Sequence, residues 1–176
     1  MTSGGYILVV HLRRGSCIQV GKLGDFSFPA GYYLYFGSAR SGVEARLARH
    51  FRQEKKLHWH IDYLLQRATP VEAWEASSEE RLECQWAKAA LGAPGARIVA
   101  PGFGSSDCRC PAHLVRFGYR PELEDFRTLL GAGGDGLMLS PVSRASSARE
   151  SPKMAVTVMA DATHQGQTEP MVKMER

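Results

Sequence analysis

Between Gly31 and His50 the chain reads G-Y-Y-L-Y-F-G-S-A-R-S-G-V-E-A-R-L-A-R-H, and that order narrows what it can fold into. An aromatic run of strand-forming residues comes first, then small residues, then a segment with helical spacing of apolar side chains. Tyr33 and Tyr35 fall on one side of the strand, because successive side chains alternate. Gly37-Ser38-Ala39 reads as a tight loop that admits a large ligand to the backbone. Val43 to about Phe51 reads as a helix with Val43, Leu47 and Phe51 inward. Arg46, Arg49 and His50 lie three and four residues apart and therefore close together on it. A phenol, a flexible turn and a guanidinium converging in this way suit a phosphodiester. A buried tyrosine strand beside a solvated basic helix is the equal alternative from these residues alone.

The rest of the chain predicts strands at Tyr6–Leu12, Cys17–Val20, Asp25–Phe28, Val71–Ala76 and near His113–Phe117. Helices are predicted over His60–Gln66 and from a cap at Ser77 or Ser78 to Leu91, ended by Gly92-Ala93-Pro94-Gly95. The expected fold class is α/β of the α+β kind, a small mainly antiparallel sheet flanked by helices. The boundary is drawn after residue 127. Residues 128–176, rich in Ser, Ala, Thr and Gln around the short apolar run Met154–Met159, are expected to be a disordered tail.

Charge follows the same division. Residues 1–121 hold 16 Lys+Arg against 10 Asp+Glu, whereas residues 122–176 hold 6 against 8. The basic excess belongs to the part expected to fold, and Arg40, Arg46, Arg49, Arg52, Lys55 and Lys56 concentrate it. Such a field draws in a polyanion, though a solvated helix face is the ordinary alternative. Trp59 is expected to be core or a stacking surface. No uninterrupted apolar run has membrane-spanning length. Four cysteines are too few for a dense disulfide framework, so a reducing, cytoplasmic setting is expected.

Glu83 sits between Leu82, Cys84, Trp86 and Ala87, where an acid is costly to bury unless a cation or a donor meets it. It is the candidate anchor for Mg²⁺ or Mn²⁺, although these residues alone favour an ion pair with Arg81 or Lys88. Glu79 and Glu80 read as first-turn charges that complement the helix dipole.

Gly4-Gly5-Tyr6-Ile7-Leu8-Val9-Val10, Tyr35-Phe36-Gly37, Arg46-Leu47 with His50, and a helix carrying Glu83 together resemble the GIY-YIG nuclease superfamily. Leu57–Leu64, Arg81-Leu82-Glu83-Cys84 and Gly102–Cys108 are similar to its small stand-alone Uri-type branch, over roughly residues 4–118. The resemblance implies that Tyr6 and Tyr35 line an active site, Arg46 stabilises the phosphate and Glu83 binds a divalent ion, with His50 one turn beyond the arginine. A nearby metal or arginine would lower a tyrosine pKa enough for base catalysis. Two departures stand out. Tyr6 and Tyr35 lie 29 positions apart, so Arg13 to about Gly31 must form an extra hairpin or loop. The family's late asparagine has no clear counterpart, and Asp107 inherits no role.

A second constellation, His58, His60, Cys108, Cys110 and His113, contains ligands for zinc, provided that Cys108-Arg109-Cys110 lies in a loop rather than a strand. His60 paired with Asp62 or Asp107, or either His58 or His60 reaching the phosphate as a general acid, is the other use of these residues. Three functions follow as expectations: a metal-dependent endonuclease acting on DNA in preference to RNA, with no membrane partner; a catalytically weak nucleic-acid-binding module of the same fold; or a zinc-stabilised interaction domain.

Overall fold

The computed structural model describes residues 3–40, 42–131 and 139–142. Strand β1 (Gly4–Leu12) pairs antiparallel along one edge with β4 (Gly31–Ala39) and along the other with β5 (Thr69–Ser77). β6 (Leu114–Phe117) lies outside β4 and β7 (Ser140–Pro141) outside β5, giving the order β6-β4-β1-β5-β7.

Both faces of this sheet are covered. Tyr6, Leu8, Val10 and Leu12 share one core with Tyr33, Tyr35, Leu47 of α1 (Val43–Phe51), and Ile61 and Leu64 of α2 (His60–Leu64). Ile7 and Val9 face the other way. They pack with Trp74, with Trp86 of α3 (Glu83–Leu91) and with Phe126 of α4 (Leu123–Gly131). Two cores on opposite faces explain why β1 is an almost unbroken apolar run rather than an alternating one. Each large apolar side chain fully buried there contributes about 1.5–3 kcal/mol.

The expected α+β class is what forms. The long spacing between Tyr6 and Tyr35 is absorbed by β2 (Ser16–Val20) and β3 (Gly24–Phe28), which form a two-stranded sheet of their own. Ile18, Val20 and Phe28 join the Tyr6 core, so the hairpin is an annex to the sheet and not an interruption. Tyr6 then stands opposite Gly37, and Leu8 opposite Tyr35.

Several local expectations change. β4 does not end at Gly37: Gly37, Ser38 and Ala39 remain in the strand, paired with Tyr6, Gly5 and Gly4. The Tyr6 ring lies over Gly37, where any side chain would run into it. Glycine is therefore needed for close packing here, not for a loop. α2 stops at Leu64, two residues before the expected end. α3 begins at Glu83 and not after Ser77 or Ser78. Ser77 is taken up by the sheet opposite Gly4, and Ser78 Oγ accepts the Glu80 amide at 2.9 Å in the intervening turn. Glu83 thus occupies a first helical turn rather than the middle of a helix.

At the C-terminal side, α4 crosses the boundary expected after residue 127, and Ser140-Pro141 pair with Glu75 and Trp74. The rest of the expected tail, including Met154–Met159, lies outside the described residues. Among the described residues, no helix is long and apolar enough to cross a membrane.

A Cβ at Gly5 would lie 2.7 Å from the buried Trp86 ring, whereas one at Gly118 would meet nothing within 4 Å. Gly5→Ala should therefore cost about 1–3 kcal/mol through overpacking, and Gly118→Ala should stay within about 0.5 kcal/mol. Urea unfolding midpoints of the two variants check this; equal midpoints would contradict the packing described.

Candidate active site and metal-ligand cluster

A cavity of about 350 Å³ opens beside β1 and β4, lined by Tyr6, Tyr35, Arg46, Glu83, Asp107 and His113 among others. The sheet supplies both tyrosines on the same face, α1 supplies Arg46 and α3 supplies Glu83. The Tyr6 and Tyr35 ring centroids are 6.4 Å apart. Tyr6 Oη and His50 Nε2 share a hydrogen bond of 2.8 Å, wholly buried. A smaller hollow of about 180 Å³ behind His50 is lined by Arg52, Lys55 and Arg67 but by neither tyrosine nor Glu83.

The electrostatics reverse the expectation that the nearby arginine brings a tyrosine pKa down. Burial raises the Tyr6 pKa well above the ordinary phenol value, and Tyr35 reinforces the rise while Arg46 only partly opposes it. Tyr35 is likewise raised, first by burial. Both phenols keep their protons at neutral pH, because desolvation outweighs the nearby guanidinium. His50 is pushed down to about 3, chiefly by burial, with Asp62 opposing and Lys55, Arg46 and Arg49 assisting. It is therefore neutral, and the Tyr6–His50 pair holds two uncharged rings in fixed orientation.

Asp62 organises the arginines. Its side chain is fully buried and accepts both Arg49 guanidinium nitrogens, at 2.8 and 2.9 Å. It also accepts the backbone N–H groups of His58 and Trp59, at 2.9 and 3.0 Å. Burial pushes the Asp62 pKa up, but these donors outweigh it and hold the carboxyl below its ordinary range. A carboxylate reaching back from the third helical position to the cap amide is a recurring way of starting a helix. The two amides carry Trp59 into place, and the guanidinium carbons of Arg46 and Arg49 lie 4.1 and 4.3 Å from its ring centroid.

Glu83 is 2% exposed. Its Oε1 accepts Arg81 Nε at 2.8 Å, and Arg81 also bridges to Asp107 at 2.6 Å. Its Oε2 is buried without a hydrogen-bond partner. Half of this carboxylate is thus satisfied by the ion pair, and the other half is open to a cation in a place where an unpaired charge is costly.

Behind this wall of the cavity lie Cys84, Cys108, Cys110 and His113, whose sulfur and nitrogen ligand atoms are all within 4.8 Å of one another. The four are partly or fully buried and could hold a metal such as zinc. Cys108 and Cys110 occupy a loop and not a strand, the condition that the short spacing imposed. The expected ligands His58 and His60 are elsewhere. His58 is exposed, and His60 Nδ1 accepts the Gly104 amide at 3.0 Å, so it pairs with neither Asp62 nor Asp107.

The sequence matches the family described as Domain of unknown function DUF123 over residues 5–132. The chain belongs to this family. DUF123 is related to GIY-YIG-like nucleases. No curated protein and no solved structure matches the chain.

Within this DUF123 domain, the residues expected to meet nucleic acid separate into two groups. Arg40, Arg52 and Lys56 are exposed. Arg49 is spent on Asp62 and on the Lys56 carbonyl, while Lys55 Nζ donates to the His50 carbonyl at 2.8 Å, at the end of α1. Trp59 is a platform for two guanidinium groups, not a free stacking face. Reasoning from sequence missed Asp62 as the hub, because Trp59 is not one of the usual capping residues and the acid three positions later gave only a partial helix-start signal. It also missed Cys84 as the fourth member of the metal-ligand cluster, since nothing in a separation of 24 positions from Cys108 indicates proximity.

Removing the Asp62 carboxylate leaves Arg49 without its ion-pair partner and two amides unpaired, so Asp62→Ala should lose about 3–5 kcal/mol of stability, read from denaturant unfolding. The His50 pKa is depressed in the fold, so from about pH 6.5 down to about 3 the unfolded chain binds the extra proton. Stability from this residue is present above that window and declines as pH falls through it, by up to about 1.4 kcal/mol per pH unit. His50→Gln should flatten the decline, measured by urea midpoints across the window; an unchanged slope would contradict a neutral buried His50.

Proposed function

We propose that this domain is a divalent-metal-dependent endonuclease of the Uri-type GIY-YIG branch, hydrolysing phosphodiester bonds in DNA. The observation that carries the reading is the cavity shared by Tyr6, Tyr35, Arg46 and Glu83, with one buried Glu83 oxygen left without a partner. Glu83 would hold Mg²⁺ or Mn²⁺, and such an ion supplies charge on the phosphoryl oxygen and acidifies bound water. Arg46 meets the phosphoryl oxygens. Its guanidinium has no ion-pair partner among the described residues and is steadied on Trp59. Tyr6, protonated in the metal-free fold and aligned by His50, orients the attacking water or a phosphate oxygen through its hydroxyl. Tyr35 closes the apolar side of the pocket. Exposed Arg40, Arg52 and Lys56 extend the basic surface along a backbone, which favours recognition of shape over sequence. All four cysteines are free, in keeping with a reducing, cytoplasmic setting.

A second reading is a weakly catalytic nucleic-acid-binding module, and the Arg81–Glu83 ion pair favours it by already meeting half of the carboxylate. Turnover separates the two. With single-stranded, duplex and branched DNA and RNA in Mg²⁺, Mn²⁺ or EDTA, the wild type should cut DNA only when metal is present. Glu83→Gln should lower cleavage by at least about 100-fold while keeping most binding, and Arg46→Ala should damage both. Metal-independent cutting, or normal cutting by Glu83→Gln, would overturn the metal assignment. Binding without any cutting would establish the module.

A further inference from the structure

The geometry points to Cys84, Cys108, Cys110 and His113 as a closed zinc site whose role is to clamp the loop 102–113 to the start of α3. The donor set, three sulfurs and one imidazole, is soft and selects zinc over Mg²⁺ or Mn²⁺. Four protein ligands leave no open position, which marks a structural ion and not a catalytic one.

The spacing supports tetrahedral coordination. Zinc bonds of about 2.3 Å to sulfur and 2.0–2.1 Å to nitrogen place a tetrahedral S···N edge near about 3.6 Å. The Cys84 Sγ and Cys108 Sγ atoms lie 3.5 and 3.4 Å from His113 Nε2. The imidazole thus presents one nitrogen to two sulfurs at the separation that a shared ion requires. A third feature is the Cys110 amide, which donates to Cys108 Sγ at 3.5 Å. Such an N–H stabilises a thiolate ligand from the outer shell.

The position gives the ion its consequence. Cys84 follows Glu83, Cys108 follows Asp107, and His113 lines the cavity directly. Across this seam runs the Arg81–Asp107 bond, made by the same guanidinium that pairs with Glu83 on the α3 side. The Arg81–Asp107 contact is surface-exposed and weak by itself. Zinc bonds tying Cys84 to Cys108, Cys110 and His113 would fix the two sides of the seam and so the placement of Glu83 and Asp107.

Zinc content and amide hydrogen exchange of the full chain test this without any substrate, so failure of the nuclease reading leaves the result intact. We expect one zinc per chain, tetrahedral thiolate absorption on cobalt substitution, and slower exchange across 102–113 in the loaded protein than after chelation. Cys108→Ser with Cys110→Ser should lower bound zinc by at least about tenfold, the lower end of what even an outer-shell change costs. His113→Cys should retain zinc and His113→Ala should lose it, a contrast that separates ligation from misfolding. His58→Ala and His60→Ala should retain it. A zinc-supplemented preparation that carries no zinc and shows no cobalt–thiolate band would overturn the proposal. So would full zinc content in the double serine variant, or equal exchange across 102–113 with and without metal.

Discussion

β1 has nine residues, is paired along both edges and is buried on both faces. A slip of one residue would exchange the faces of every side chain, moving Tyr6 into the Trp86 core and Ile7 toward α1. Its register is therefore strongly specified, and the cavity inherits that specification. Tyr6 is placed by β1 itself, and Tyr35 by the β4 register. Only the side chains brought by α1, α3 and the loop 102–113 need further means to hold them.

Those means are mostly buried polar contacts. Two arginines on α1, three residues apart, have different fates because one meets a carboxylate. Arg49 is neutralised by Asp62, and in doing so it joins α1 to the start of α2. Arg46 keeps its charge toward the cavity while resting on the tryptophan that Asp62 positions. Sequence spacing could show that both arginines share a neighbourhood, but not which of them would be consumed internally.

The fold was legible where burial and periodicity decide it. The unbroken run of β1, the aromatic β4 and the amphipathic α1 all form near the expected positions. It was less legible where two local preferences compete for the same residues. Ser77 and Ser78 have good capping chemistry, yet pairing with Gly4 takes Ser77 into the sheet. Gly37-Ser38-Ala39 has loop composition, yet two glycines on the opposing strand allow the ladder to continue. In the cavity, the residues drawn together by motif order do converge, but the direction of the tyrosine pKa shifts did not follow from charge proximity. Burial governs it, and burial belongs to the completed packing.

The β2–β3 hairpin bears on how the cavity assembles in time. Joining two strands through a flexible segment costs chain entropy that grows only slowly, about 0.6 kcal/mol for each doubling of its length. Here the segment is not flexible: it closes on itself through pairs such as Val20 with Gly24 and Ser16 with Phe28. Once that local ribbon has formed, β1 and β4 are tethered by little more than its two ends. A long connection in sequence thereby becomes a short one for the search that brings Tyr6 to Tyr35, and contacts made between near neighbours along the chain are the ones that form fastest.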